Sequence, residues 1–192
     1  MMLADIAEVM REAYLRNWIT TRDGNCSMRL KDDDNLYITP SAVKKYEIRP
    51  SEIVKIHIFE EKILFDASAS GELQMHWLLH KNSGKTRSVL HLHPTYTVAA
   101  MYAGYNLSEL SLQFPEIHRY TKVANNVPVV PAVSEELAKK THTALIIDGQ
   151  PAYDIVGQDR HGVCAIGKDP WEAFEHIERL EHICKMVLLA TR

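Results

Sequence analysis

The chain has 192 residues, 46% of them hydrophobic and 24% charged, the make-up of an ordinary globular protein with one sizeable core. A net charge of −3 leaves no electrostatic footprint for nucleic acid, and no apolar run is long enough to span a bilayer. Three scattered cysteines, Cys26, Cys164 and Cys184, include no Cys-x-x-Cys pair; they argue against a disulfide framework and suit a reducing, cytoplasmic compartment.

Residues 2–17 place Leu3, Ile6, Val9, Met10, Ala13 and Tyr14 at helical spacing. This start carries acids and lacks the basic beginning and cleavage site of a signal peptide. Asp23-Gly24-Asn25 then breaks the helix and leads into an extended stretch. A turn at Asp32–Asp34 precedes a short strand stopped by Pro40. From Ser51 to Phe65 the alternation of Val54, Ile56 and Ile58, then Ile63 and Phe65, reads as two strands joined at Glu60-Glu61. Leu73, Trp77 and Leu78 return to helical spacing, ending near Gly84. "TRSVLHLHP" is a strand ended by Pro94, and "TYTVAAMYAG" a helix ended by Gly104.

Residues 105–133 are mixed and punctuated by proline. Ser134 is a good N-cap for the helix that follows. "YDIVGQDRHGVCAIG" reads as two short strands around a turn. Asp169 caps the last and longest helix, with Pro170 at its first position and apolar residues recurring from Phe174 to Val187. The mixture predicts one α/β domain over 1–192, a sheet covered by helices.

Several pieces carry chemistry. His91 and His93 lie two apart on a predicted strand, so both imidazoles point to one face while Leu92 points into the core. They suit either one metal ion or a solvated strand face. A catalytic zinc wants about three protein ligands and an open position; His161, in a turn before Gly162, can supply the third or sit in solvent. Glu72, at the start of a predicted helix behind Ser70-Gly71, is either a catalytic carboxylate or a first-turn acid. His76 and His80 repeat its spacing, as a polar network behind a site or as a partly buried helix face. The loops around Gly24, Asn25 and Ser27, and around Thr39 and Ser41, offer small polar groups to phosphate oxygens, or are ordinary turns.

The order Gly24-Asn25-x-Ser27, Thr39-Pro40-Ser41, Ser70-Gly71-Glu72, His91-x-His93-Pro94 and His161-Gly162 resembles the class II aldolase/adducin family, typified by fuculose-phosphate aldolase, over nearly the whole chain. The resemblance implies a three-layer α/β/α fold with a central, mainly antiparallel sheet, and a homotetramer with active sites at subunit contacts. It implies that His91, His93 and His161 hold Zn²⁺ or another divalent metal and that Glu72 is the catalytic carboxylate. Gly24, Asn25, Thr39, Ser41 and Ser70 then match loops that cradle the phosphate of a small-molecule substrate such as a sugar phosphate. The implied chemistry is an enediolate stabilised by the metal, with Glu72 moving the proton.

Some positions depart from the pattern. Arg22 and Asp23 stand before Gly24 where the fuculose-type aldolases have a threonine two residues ahead of it. Ala42 follows Ser41, and Gly71 replaces a second serine before Glu72. Arg22 either grips the substrate's anionic group or pairs with Asp23. Tyr120, in "FPEIHRYTKVANN", is the candidate proton donor across a subunit contact, and Glu116, His118 and Arg119 beside it are candidates for substrate recognition. Glu72, where the family's epimerases carry aspartate, points away from epimerisation. The readings are a metal-dependent aldolase, a sugar-phosphate dehydratase or decarboxylase on the same site, or a non-catalytic adducin-like module; the last normally lacks the metal histidines.

Overall fold

A computed structural model describes residues 2–59, 68–83 and 85–191. The chain opens with helix α1 (Met2–Leu15), whose Ile6, Val9, Met10 and Ala13 face inward at the predicted spacing. Strands β1 (Asn25–Arg29), β2 (Asn35–Ile38) and β3 (Val54–His57) follow as an antiparallel ribbon. Only the first of the two strands expected between 51 and 65 lies among the described residues, with Ile58 already in a turn; the second, with Ile63 and Phe65, falls outside them, as does Gly84.

Helix α2 (Leu73–Lys81) leads to β4 (Ser88–Leu92), the short helices α3 (Thr95–Tyr102), α4 (Leu107–Ser111) and α5 (Pro115–Tyr120), and strand β5 (Val123–Val127). Helix α6 (Glu135–Leu145) precedes a two-residue hairpin of β6 (Ile146–Ile147) and β7 (Gln150–Pro151). The chain ends with β8 (Ile155–Gln158), β9 (Gly162–Gly167) and α7 (Pro170–Ala190). Caps end the helices where the sequence places them. Asp169 accepts from the Glu172 amide at 2.8 Å, Ser134 from that of Leu137 at 3.1 Å, and Gly104 adopts φ +93° after α3. No helix among the described residues is long and apolar enough to cross a membrane.

The main sheet has the order β3-β2-β1-β4-β9-β8-β5. Every pairing is antiparallel except β5 with β8. Side-chain alternation divides its two faces. Cys26, Leu90, Leu92, Val163 and Ala165 enter the larger core with α1, α3, α4 and α7. Val89, Val156, Cys164 and Ile166 enter a second core with Met75 and Leu79 of α2 and Leu137 and Ala138 of α6. These are the expected α/β/α layers around a mainly antiparallel sheet.

One stretch of the α2 face breaks the apolar pattern. There β1 presents Asn25 and Ser27, and β4 presents His91, all buried. That polar patch, at the edge where β4 ends and β9 begins, is where the chemistry collects.

Candidate metal centre

Three local features bring the histidines together. His91 lies within β4 and pairs with Cys164 of β9. His93 follows two residues later, its amide donating to the Trp18 carbonyl at 3.0 Å, while Leu92 between them is fully buried on the opposite face. His161 closes the β8–β9 turn, its amide donating to the Gln158 carbonyl at 3.0 Å after Arg160 at φ +58°. Gly162 makes the approach possible. A methyl group there would meet the Leu92 carbonyl at 2.4 Å, the His93 ring at 2.6 Å and the His91 ring at 3.0 Å, so only a hydrogen fits beneath the two rings.

The ligand atoms of His91, His93 and His161 all lie within 4.8 Å of one another. His91 Nε2 is 2.9 Å from His93 Nε2 and 3.2 Å from Glu72 Oε2, and His161 Nε2 is 3.8 Å from Glu72 Oε1. The Val163 carbonyl, 3.0 Å from His91 Nδ1, accepts that nitrogen's hydrogen and so assigns the tautomer. The lone pair on His91 Nε2 then faces a second imidazole and a carboxylate.

Burial first, and then the neighbouring His161, push His91 down to about 3. Burial, His91 and His161 do the same to His93, also to about 3. Both rings are therefore neutral at neutral pH, and the short His91–Glu72 contact is not an ion pair. Glu72 Oε1 and His161 Nδ1 are buried and have no hydrogen-bond partner among the described residues. Converging imidazole nitrogens beside a carboxylate with an oxygen left free of hydrogen bonds among the described residues are a donor set suited to a cation. The residues fit a divalent metal, and imidazole suits zinc among several such ions.

The remaining predicted residues divide. Asn25 is at the site, but its amide is engaged: Nδ2 donates to Glu72 Oε2 at 2.9 Å and Oδ1 meets His76 Nε2. Thr39 is fully buried, its hydroxyl accepting from the Cys26 amide at 3.2 Å. Ser70 Oγ accepts from the Glu72 amide at 3.3 Å, and the Ser70 amide donates to the Thr39 carbonyl at 3.1 Å. Ser41 is exposed, tied by its amide to the Ser68 carbonyl at 2.9 Å. These bonds place the second and third small-residue loops side by side, next to Glu72. Gly24 has φ +71°, and a side chain there would meet Ile19 at 2.7 Å and the His91 carbonyl at 3.2 Å.

Arg22 is exposed, and the Asp23 carboxylate accepts from the Thr20 hydroxyl instead of pairing with it. Tyr120 does not join the cluster within one chain. It is exposed and lines a depression with Gly167 and Lys168, about 16 Å along β9 from Gly162 at the usual strand rise. His118 and Arg119 are exposed beside it. Glu116 lines a cavity of about 770 Å³ with Arg16 and His182, and neither Glu72 nor His91, His93 or His161 is in its wall. A smaller groove of about 400 Å³ between Thr20, Thr21 and Thr95 reaches His93; donor chemistry rather than size locates the site.

Lys45 was not among the sequence candidates. It is buried beside the Gly24 loop, its ammonium donating to the Arg22 carbonyl at 3.1 Å, and burial pushes it down to about 8. A single lysine in a short 3-10 turn gives no sequence signal of this kind.

A family model described as the class II aldolase and adducin N-terminal domain matches residues 4–188. An L-fuculose phosphate aldolase of Methanococcus maripaludis is 25% identical over 184 residues, covering 96% of this chain and 94% of its own. A methylthioribulose-1-phosphate dehydratase of a Bradyrhizobium species is 26% identical over 202 residues, covering 97% and 90%. Among solved structures, the L-fuculose-1-phosphate aldolase of Thermus thermophilus superposes with a TM-score of 0.80 at 23% identity, covering 98% of this chain and 94% of that one.

Proposed function

This chain belongs to the class II aldolase and adducin family, and from that premise we propose that it is a metal-dependent lyase, with zinc as its metal, that cleaves or forms a carbon–carbon bond in a small phosphorylated ketose or related hydroxy-carbonyl compound. The observation that carries the reading is the convergence of three imidazoles, with ligand atoms within 4.8 Å, beside Glu72. His91, His93 and His161 would hold the ion. A divalent metal bound there supplies Lewis acidity toward a substrate carbonyl and its neighbouring hydroxyl.

The chain's own residues do the rest. Glu72 takes the proton at Oε1, the oxygen with no hydrogen-bond partner among the described residues, and returns it to the product. Its position under Ser70 and Asn25, 7% exposed, keeps bulk water from the proton in transit. The paired loops of Thr39, Ser41 and Ser70, with Gly24 opposite, cradle the substrate phosphate through backbone amides and small hydroxyls. Arg22 reaches the phosphate from the exposed rim. Tyr120, exposed and remote from its own histidines, serves as the acid of a neighbouring subunit in a homotetramer.

Dialysed protein restored with zinc is expected to release an aldehyde from at least one member of a panel of ketose phosphates. Zinc-loaded protein that leaves the whole panel intact overturns the reading. The likeness to the methylthioribulose-1-phosphate dehydratase, as close as that to the aldolase, favours a second outcome on the same metal site. There the substrate loses water, seen by mass, with no aldehyde; loss of carbon dioxide marks a decarboxylase. A non-catalytic adducin-like module would bind no metal, so zinc bound one to one by the purified protein excludes it.

A further inference from the structure

Behind Glu72, between β1 and α2, lies a line of buried polar side chains. Glu72 Oε2 accepts from Asn25 Nδ2 at 2.9 Å. Asn25 Oδ1 meets His76 Nε2. His76 Nδ1 lies 2.6 Å from the Ser27 hydroxyl, which lies 2.9 Å from His80 Nε2. Asn25 and Glu72 are 6% and 7% exposed, and Ser27, His76 and His80 are fully buried.

Donor and acceptor arithmetic gives this line one direction. A carboxylate only accepts, so the Asn25 amide must turn its NH₂ toward Glu72 and its carbonyl toward His76. His76 must then carry its hydrogen on Nε2. As a neutral ring it keeps a lone pair on Nδ1, which the Ser27 hydroxyl fills by donating. The Ser27 oxygen in turn accepts from His80 Nε2–H. The counting then leaves the lone pair of His80 on Nδ1. At the other end, Asn25 occupies Oε2 of Glu72 and leaves Oε1 idle. Burial keeps both rings neutral, in agreement with one hydrogen on each.

We propose that Ser27, His76 and His80 are positioning residues whose one-way hydrogen-bond chain, acting through Asn25, locks the Glu72 carboxylate so that Oε2 is held and Oε1 alone exchanges protons with substrate. The chain is a fixed clamp and moves no proton itself. The proposal rests on the reading of Glu72 as the proton-moving group. The sense of the Ser27 hydroxyl decides the Asn25 amide. If His76 carries its hydrogen on Nδ1, Asn25 turns over, its carbonyl faces the carboxylate, and Glu72 is released.

Two measurements on the zinc-loaded full chain test the clamp. Two-bond proton–nitrogen correlation spectra read the tautomer of His76. Solvent deuterium exchange at the carbon-bound hydrogens of dihydroxyacetone phosphate, a minimal phosphorylated hydroxy-ketone, reads the proton step. Wild type is expected to show a single Nε2–H tautomer for His76. Ser27→Ala should lose it and exchange at least 10-fold more slowly at saturation, with KM within about 3-fold of wild type. His76→Gln, which can donate to Asn25 and accept from Ser27 yet cannot shuttle a proton, should keep exchange within about 3-fold. His76→Leu should lose it while circular dichroism reports the same fold.

A wild-type His76 protonated on Nδ1, or a Ser27→Ala protein exchanging at the wild-type rate, overturns the clamp. A His76→Gln protein as slow as His76→Leu overturns its passive character. If wild type shows the Nε2–H tautomer but exchanges no hydrogen, the functional reading of Glu72 fails while the directed chain stands on its spectrum.

Discussion

Neutral imidazole binds a cation and imidazolium does not, so the burial that holds His91 and His93 near 3 keeps them ready as ligands across the physiological range. Deleting one should be felt directly at the ion. His93→Ala should lower zinc affinity by more than the roughly 10–100-fold lost with an outer-shell partner. Equilibrium dialysis with metal analysis measures it, while circular dichroism should report an unchanged fold because His93 lies outside both cores. Glu72→Gln is the complementary case. It should leave zinc bound one to one and slow the proton step by roughly 10²–10⁴-fold, the usual contribution of a positioned acid–base group. Of these residues, the His91–His93 pair was legible from spacing alone, because strand alternation puts i and i+2 on one face. His161 and Glu72 were not: each sits where turns and helix starts ordinarily carry such residues, and only the order of motifs along the whole chain singled them out. Asn25 was found for a different reason from the one its contacts support, since its amide faces Glu72 and His76.

At the level of elements, the long amphipathic helices and capped starts were readable because their determinants are local. The region from 105 to 133 was not. Helices α4 and α5 span only five and six residues, too short for periodicity to register, and β5 pairs in parallel with a strand thirty residues on. Contacts of that range also hold the site. Glu181 of α7 caps α3 from a distance: Oε1 accepts from the Tyr96 amide at 3.0 Å, and Oε2 from the Thr97 amide at 2.7 Å and the Thr97 hydroxyl at 2.8 Å. Pro94 at the N-cap offers no side-chain acceptor of its own, so this carboxylate is what satisfies the helix start next to His93. Glu181→Ala should cost about 2–4 kcal/mol in urea unfolding, as buried charged hydrogen bonds do, and weaken zinc binding by loosening His93. Gly162→Ala makes a sharper claim about the junction of β4 and β9. The added methyl meets a carbonyl at 2.4 Å, so stability should fall by about 1–3 kcal/mol. Zinc affinity should fall more than in a variant of equal stability elsewhere in β9, because the strain is taken up by the two rings.

On the scale of the molecule, the sheet's two faces are unequal. One is apolar throughout its centre, while the other gives up apolar packing over β1 and β4 to house Asn25, Ser27, His76, His80 and His91 in the interior. Buried groups that must stay neutral tie global stability to pH. His80 is held at about 3, chiefly by burial, with the Arg29 and Arg87 charges adding to it; burial holds His76 well below its ordinary value too. In the unfolded chain both titrate near 6.5. Between about 6.5 and 3 the unfolded state therefore binds protons that the folded state refuses, and stability falls as pH falls through that window. Each such histidine contributes about 1.4 kcal/mol per pH unit once the pH is well below 6.5. Chelator-treated protein should thus lose stability steeply between pH 6 and pH 4, and its urea midpoint should drop accordingly. His80→Gln keeps a donor toward Ser27 and removes one titrating group, so its stability curve over the same interval should be shallower than that of wild type by about 1.4 kcal/mol per pH unit. A parallel pair of curves would mean that His80 takes up its proton in the folded protein as readily as in the unfolded one, and that the interior behind Glu72 is open to water.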